Sequence, residues 1–270
     1  MTNPPMNPLS LRNTWLWLTA FSVAMGFLET AVVVYLRELY YPTGFAFPLA
    51  PIKPGVAVTE LLREAATLLM LLSVGVLAGR TAAQRFSFAI YSFAVWDLCY
   101  YLFLKLLLDW PASLLTWDIL FLIPVPWVGP VLAPCLVALT MTGLAIVAVR
   151  LEGRGYALRF TAAAQGLWWA GSLLILASFM GDYVAYVQQH QRNLWTASGG
   201  TDLFSEAPAY VPQSFNWWLF GLGEAGLLAG IARWIWQTVV QKPAVLLRNL
   251  PKRTFANPDA GGFSDYLNGL

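Results

Sequence analysis

Histidine is almost missing from this chain, and cysteine and charge are scarce. One histidine, His190, in 270 residues excludes a haem held between two histidines and any His-rich metal centre. The two cysteines, Cys99 and Cys135, both fall inside apolar runs, which rules out a disulfide framework and reads as buried thiols. Charged residues make up 11% of the chain, where an average soluble domain carries roughly 25%. That leaves too little polar surface to coat a soluble globule. A net charge of +2 lacks the basic footprint of a nucleic-acid binder. Also missing, in any suitable context, are GxSxG, HExxH, Walker A and dinucleotide-binding glycine motifs.

What is present is apolar and aromatic: 58% hydrophobic residues, with 13 Trp, 16 Phe and 11 Tyr. Runs of this kind, long enough to cross a hydrocarbon core of about 30 Å, assign the chain to multi-pass membrane proteins. The reading is an all-α polytopic bundle of about six spans, near 13–36, 60–79, 86–108, 128–149, 160–186 and 214–240. A short interfacial or half-helix near 110–123 is expected, broken by Pro124 and Pro126. Thr59 is the expected N-cap of the second span, placing Glu60 and Glu64 in its opening turns, where carboxylates complement the helix dipole. Pro130 and Pro134 then fall in the first turns of the fourth span.

Residues 1–10, rich in Pro and Asn, read as an irregular arm. The apolar run that follows is longer than a signal-peptide core and lacks a small-residue cleavage site, so it is expected to remain as the first span. Residues 1–240 form one transmembrane domain, and 241–270 a cytoplasmic tail with a surface helix at 244–250. No internal repeat is evident.

Basic residues orient the bundle. With the N-terminus in the cytoplasm, eleven of the 16 Lys and Arg fall on that side: Arg12, Arg80, Arg85, Arg150, Arg154, Arg159, Arg233, Lys242, Arg248, Lys252 and Arg253. Both termini are then cytoplasmic, and the expected location is a bacterial inner (plasma) membrane. The aromatics near the span ends form the usual interfacial belt, whereas Trp96, Trp168 and Trp169 lie deeper.

The same orientation gathers the intramembrane charge at one depth. Glu29 lies near the outer end of the first span, and Glu60, Arg63 and Glu64 near the start of the second. Asp97, Tyr100 and Tyr101 occupy the outer half of the third, and Glu224 lies about three turns into the sixth. These eight residues are the candidate outward-facing polar pocket. Glu60 and Glu64 share a helix face, as do Asp97 and Tyr101. Charge at that depth is expensive and marks either a functional site or a partnered tie between helices. Lys105 is expected to snorkel to the interface, and Asp109 and Asp118 to cap helices.

No catalytic set and no cofactor can be named, and no metal is assigned. A carboxylate-only cation site from Glu29, Glu60, Glu64 and Asp97 is the one metal chemistry left to weigh. The expected partners are the lipid bilayer and other membrane subunits, with no nucleic acid. The first functional reading is therefore an integral subunit or scaffold of a larger membrane complex. Its alternatives are a transporter or channel for protons, cations or a small polar solute, and an intramembrane enzyme acting on a lipid-type substrate.

Overall fold

The computed structural model describes residues 8–156, 158, 161–190 and 209–240. It is mostly helical: α1 (Pro8–Tyr40), α2 (Pro54–Ala78), α3 (Ala82–Leu108), a hairpin of β1 (Trp117–Phe121) and β2 (Trp127–Pro130), α4 (Leu132–Gly153), α5 (Ala162–His190) and α6 (Trp217–Val240). The first five of these helices are long and apolar enough to cross a membrane. α6 carries four tryptophans and four glycines in its 24 residues and stands outside that group. The expected tail helix at 244–250 and most of the 188–213 loop lie outside the described residues.

α3 is the centre of the first half, with α1, α2 and α4 each packed along it, while α1 and α2 scarcely touch each other. α5 and α6 form a second, closely apposed pair, joined to the first half mainly through β2 and α4. Two buried clusters make that join. Ala133, Ile175, Phe179 and Phe220 pack near the hairpin, and Ala148, Leu151, Ala164 and Trp234 at the other end.

Several boundaries differ from the sequence expectation, each for a local reason. α2 begins five residues before Thr59, at Pro54, whose fixed φ suits a first helical position. Thr59 is therefore no cap, and its hydroxyl donates back to the Gly55 carbonyl at 2.9 Å. Glu60 and Glu64 consequently sit beyond the first turn, too far in for the dipole role expected of them. α3 does have a side-chain cap: Thr81 Oγ1 accepts from Gln84 N at 3.1 Å, and Gln84 Oε1 accepts from Arg80 N at 3.0 Å. Asp109 ends α3 in the left-handed region (φ 49°), ahead of Pro111. It is the C-cap of α3, a helix cap as expected. Lys105 folds over the same end, 2.7 Å from an Asp109 carboxylate oxygen.

The largest correction concerns 110–123, which is no half-helix. Trp117, Ile119 and Phe121 alternate along β1, which pairs antiparallel with β2 through Trp117↔Pro130, Asp118↔Gly129 and Ile119↔Val128. A bulge before Phe121 shifts the register. Pro124 and Pro126 sit at the hairpin tip, where no ladder donor is required. Pairing two short strands satisfies backbone groups that a broken helical turn would leave open in an apolar setting. The fourth helix accordingly starts at Leu132, and Pro130 closes β2 instead of opening a helix.

Close helix approach depends on glycine at a few points. A Cβ on Gly75 would lie 2.5 Å from Ala89 N on α3, and one on Gly171 would lie 2.6 Å from the Gly223 carbonyl on α6. Gly75→Ala is expected to force α2 and α3 apart, at about 1–3 kcal/mol. A lowered thermal midpoint of the detergent-purified protein would register this, and Gly143→Ala, where a Cβ meets nothing within 4 Å, should leave it unchanged.

Candidate functional site

At the end of the bundle carrying the hairpin and the α1–α2 loop, a cavity of about 330 Å³ opens between α1 and α2, with α3 behind it. α1 contributes one face to it, Glu29, Val33, Leu36, Arg37 and Tyr40, spaced as a helical stripe. α2 adds Ala57, Glu60, Arg63, Glu64 and Thr67, and α3 adds Trp96, Asp97, Tyr100 and Tyr101. The hairpin closes one side with Asp118 through Leu122, and the loop lays Tyr41, Phe45 and Leu49 to Ile52 over another.

Seven of the eight residues picked from sequence thus line one cavity: Glu29, Glu60, Arg63, Glu64, Asp97, Tyr100 and Tyr101. Glu224 does not. α6 packs on α5, and Gly223 faces that helix, so the next residue turns to α4, where Thr140 Oγ1 donates to Glu224 Oε1. The second oxygen of Glu224 is buried with no partner among the described residues.

Two arginines hold the cavity walls. Arg63 on α2 donates through Nη1 to Glu29 on α1, and through Nε and Nη2 to Glu60 one turn back on its own helix. It is the polar tie between two helices that otherwise barely meet. Arg37 on α1 reaches Asp118 on β1, 3.7 Å away, and both are nearly fully buried. Its guanidinium also lies 3.9 Å from the Trp110 ring centroid and 4.6 Å from that of Phe45. The hairpin is thereby fastened to α1, and the loop is stacked on the same cation. Glu64 Oε2 accepts from Leu122 N at 3.1 Å, fastening the hairpin tip to α2. Tyr41 Oη accepts from Ala50 N at 2.9 Å and fixes the loop.

Asp97 differs from the other carboxylates. It faces the cavity, and no hydrogen bond or ion pair engages it among the described residues. Trp96 beside it is 6% exposed, and its indole N–H is likewise without a partner among the described residues. Below the cavity the packing is apolar. Met25, Leu71 and Trp96 pack with Phe21 and Phe93, and further in Leu18, Phe88 and Val149 close the core.

Arg37 and Asp118 escaped the sequence reading. Arg37 passes for part of an interfacial rim, yet its spacing from Glu29 and Val33 was the available signal. Asp118 passes for a cap until the hairpin is known. Among the described residues no three His, Cys, Asp or Glu side chains converge as a metal cage, so the carboxylate-only cation site lacks its ligands there. No protein-family model, curated protein or solved structure matches this chain.

Burial pushes the Asp118 carboxyl up to about 6, with the Arg37 charge pulling the other way. Its unfolded value is about 3.9. The folded state therefore holds the extra proton, and the stability this contributes is full below about pH 4 and is lost as pH rises through about 6. Thermal midpoints measured across that window should fall with pH in the parent protein and flatten in Asp118→Asn. Arg37→Ala strands a buried carboxylate and is expected to cost about 3–5 kcal/mol, with Arg37→Ala/Asp118→Ala costing less than Arg37→Ala alone. A double variant at least as unstable as the single one would contradict this account of the pair.

Proposed function

We propose that this multi-pass membrane protein binds a small amphiphilic, lipid-type molecule in the cavity between α1 and α2, at the outer end of the bundle. One observation carries the reading: an open cavity of about 330 Å³ that combines a mostly apolar lining with converging charged and aromatic groups. That is the composition of small-molecule sites, where apolar surface supplies affinity and a few polar groups set orientation. The gap between α1 and α2 gives such a molecule a route in from the membrane, with its head among Asp97, Tyr100 and Tyr101 and its chain toward lipid.

Binding of this kind keeps the lipid-type substrate of the intramembrane-enzyme alternative, without its catalysis, and stands ahead of the subunit and transporter readings. The exposed apolar side chains along the helices are what lipid-facing surfaces present, and they carry no argument for neighbouring subunits. A transporter needs alternating access around a site near the midplane. Here the apolar clusters around Met25, Leu71 and Phe88 stand between the cavity and the opposite end. With α6 counted as a sixth span and the basic residues in the cytoplasm, the cavity faces the periplasmic or external side of a plasma membrane.

Organic extraction of the detergent-purified protein, followed by mass spectrometry, is expected to yield an amphiphile enriched over bulk membrane lipid at close to one per chain. Ala57→Trp, which places an indole in the cavity wall, should lower that yield several-fold while leaving the elution profile unchanged. An extract matching bulk lipid in both proteins would overturn the proposal.

A further inference from the structure

The charges lining the cavity do not balance, and the imbalance indicates what the ligand carries. Five carboxyl groups face it, from Glu29, Glu60, Glu64, Asp97 and Asp118, against the two guanidinium groups of Arg37 and Arg63. Both arginines are already engaged, Arg37 with Asp118 and Arg63 with Glu29 and Glu60. Glu64 accepts from one backbone N–H, and Asp97 has no hydrogen bond or ion pair among the described residues. An anionic head would meet acid with no free cation among the described lining residues to receive it, at several times the cost of such an encounter in water. A positively charged head would instead complete the set.

The walls around Asp97 suit the same group. Tyr100 and Tyr101 lie edge to face, with ring centroids 4.9 Å apart, and Trp96 borders the cavity beside them. Aromatic rings beside a carboxylate are the recurrent surroundings of bound ammonium groups, because the ring faces carry negative potential and repel no alkyl substituent.

We propose, resting on the lipid-type reading above, that the ligand is an ammonium-headed amphiphile, its nitrogen set against Asp97 within the Tyr100–Tyr101–Trp96 surround. Asp97 is the residue that selects the head, and Arg63 and Arg37 hold the walls that position it.

The test is a binding titration of the full-length protein in detergent, read by its intrinsic tryptophan fluorescence. Four single-chain lipids of equal chain length serve as probes: lysophosphatidylethanolamine, lysophosphatidylcholine, lysophosphatidylglycerol and monoacylglycerol. The first two are expected to bind about tenfold or more tightly than the last two. Asp97→Asn should erase that preference while residual binding of all four remains, which separates loss of selection from loss of fold, and Asp97→Glu should restore part of it. Free ethanolamine at matched concentration should displace nothing, and full displacement would overturn the amphiphile assignment in favour of a soluble amine. Tighter binding of lysophosphatidylglycerol or monoacylglycerol, or an unchanged preference in Asp97→Asn, would overturn the ammonium assignment and leave the lipid-type site standing. Saturation by none of the four would remove both.

Discussion

Arg63 connects two carboxylate-bearing turns of chain in a place where an unpaired charge is hard to sustain. Its guanidinium holds Glu29 on α1 and Glu60 on α2, and the two helices have little else between them. In a low-dielectric setting such a pair owes its worth less to net attraction than to the penalty of breaking it. The geometry of the end that carries the cavity depends on that penalty. Apolar side chains would let α1 and α2 close on each other, whereas the bridged charges hold them at a set distance and leave a cavity.

The hairpin uses the same physics. Two short strands have little stability alone, yet β1 and β2 are fastened at opposite ends, to α1 through Arg37 and Asp118 and to α2 through Glu64 and the Leu122 amide. Stacking of Arg37 on Trp110 and Phe45 draws the segments on either side onto the same cation. The cavity is therefore framed by helices on three sides and by polar fastenings elsewhere. Elements that converge on two arginines form a frame that loses several walls when one charge is removed.

The second half of the molecule makes the opposite choice. α5 and α6 approach closely through Gly171 and Gly223, leaving no room between them. The segment that leads into α6 is held by Asp182, which accepts from the Tyr210 hydroxyl at 2.6 Å and from Gln213 N at 3.1 Å. Tyr210 in turn packs with Val128, Tyr183 and Val187 beneath the hairpin. A dense pair on one side gives the open side a rigid support, consistent with a site built between α1 and α2.

By itself the sequence determined the membrane class and the run of long apolar helices, and it singled out eight residues as a polar group, seven of which line one cavity. Each follows from hydropathy and helical spacing, which act over a few turns of chain. Residue 224 shows where that reasoning stops. Its depth matched the others, but depth says nothing about which neighbour a helix face meets, and packing through Gly223 turned it to α4. Asp118 shows the same limit, because a carboxylate between two tryptophan-rich segments reads as a cap until strand pairing carries it to Arg37. Tertiary structure alone decided that 117–130 pairs as a hairpin, that Arg63 spans two helices and that a cavity remains between them. Those outcomes depend on contacts between residues dozens of positions apart, where the cost of unpaired backbone and unpaired charge is settled jointly and not locally.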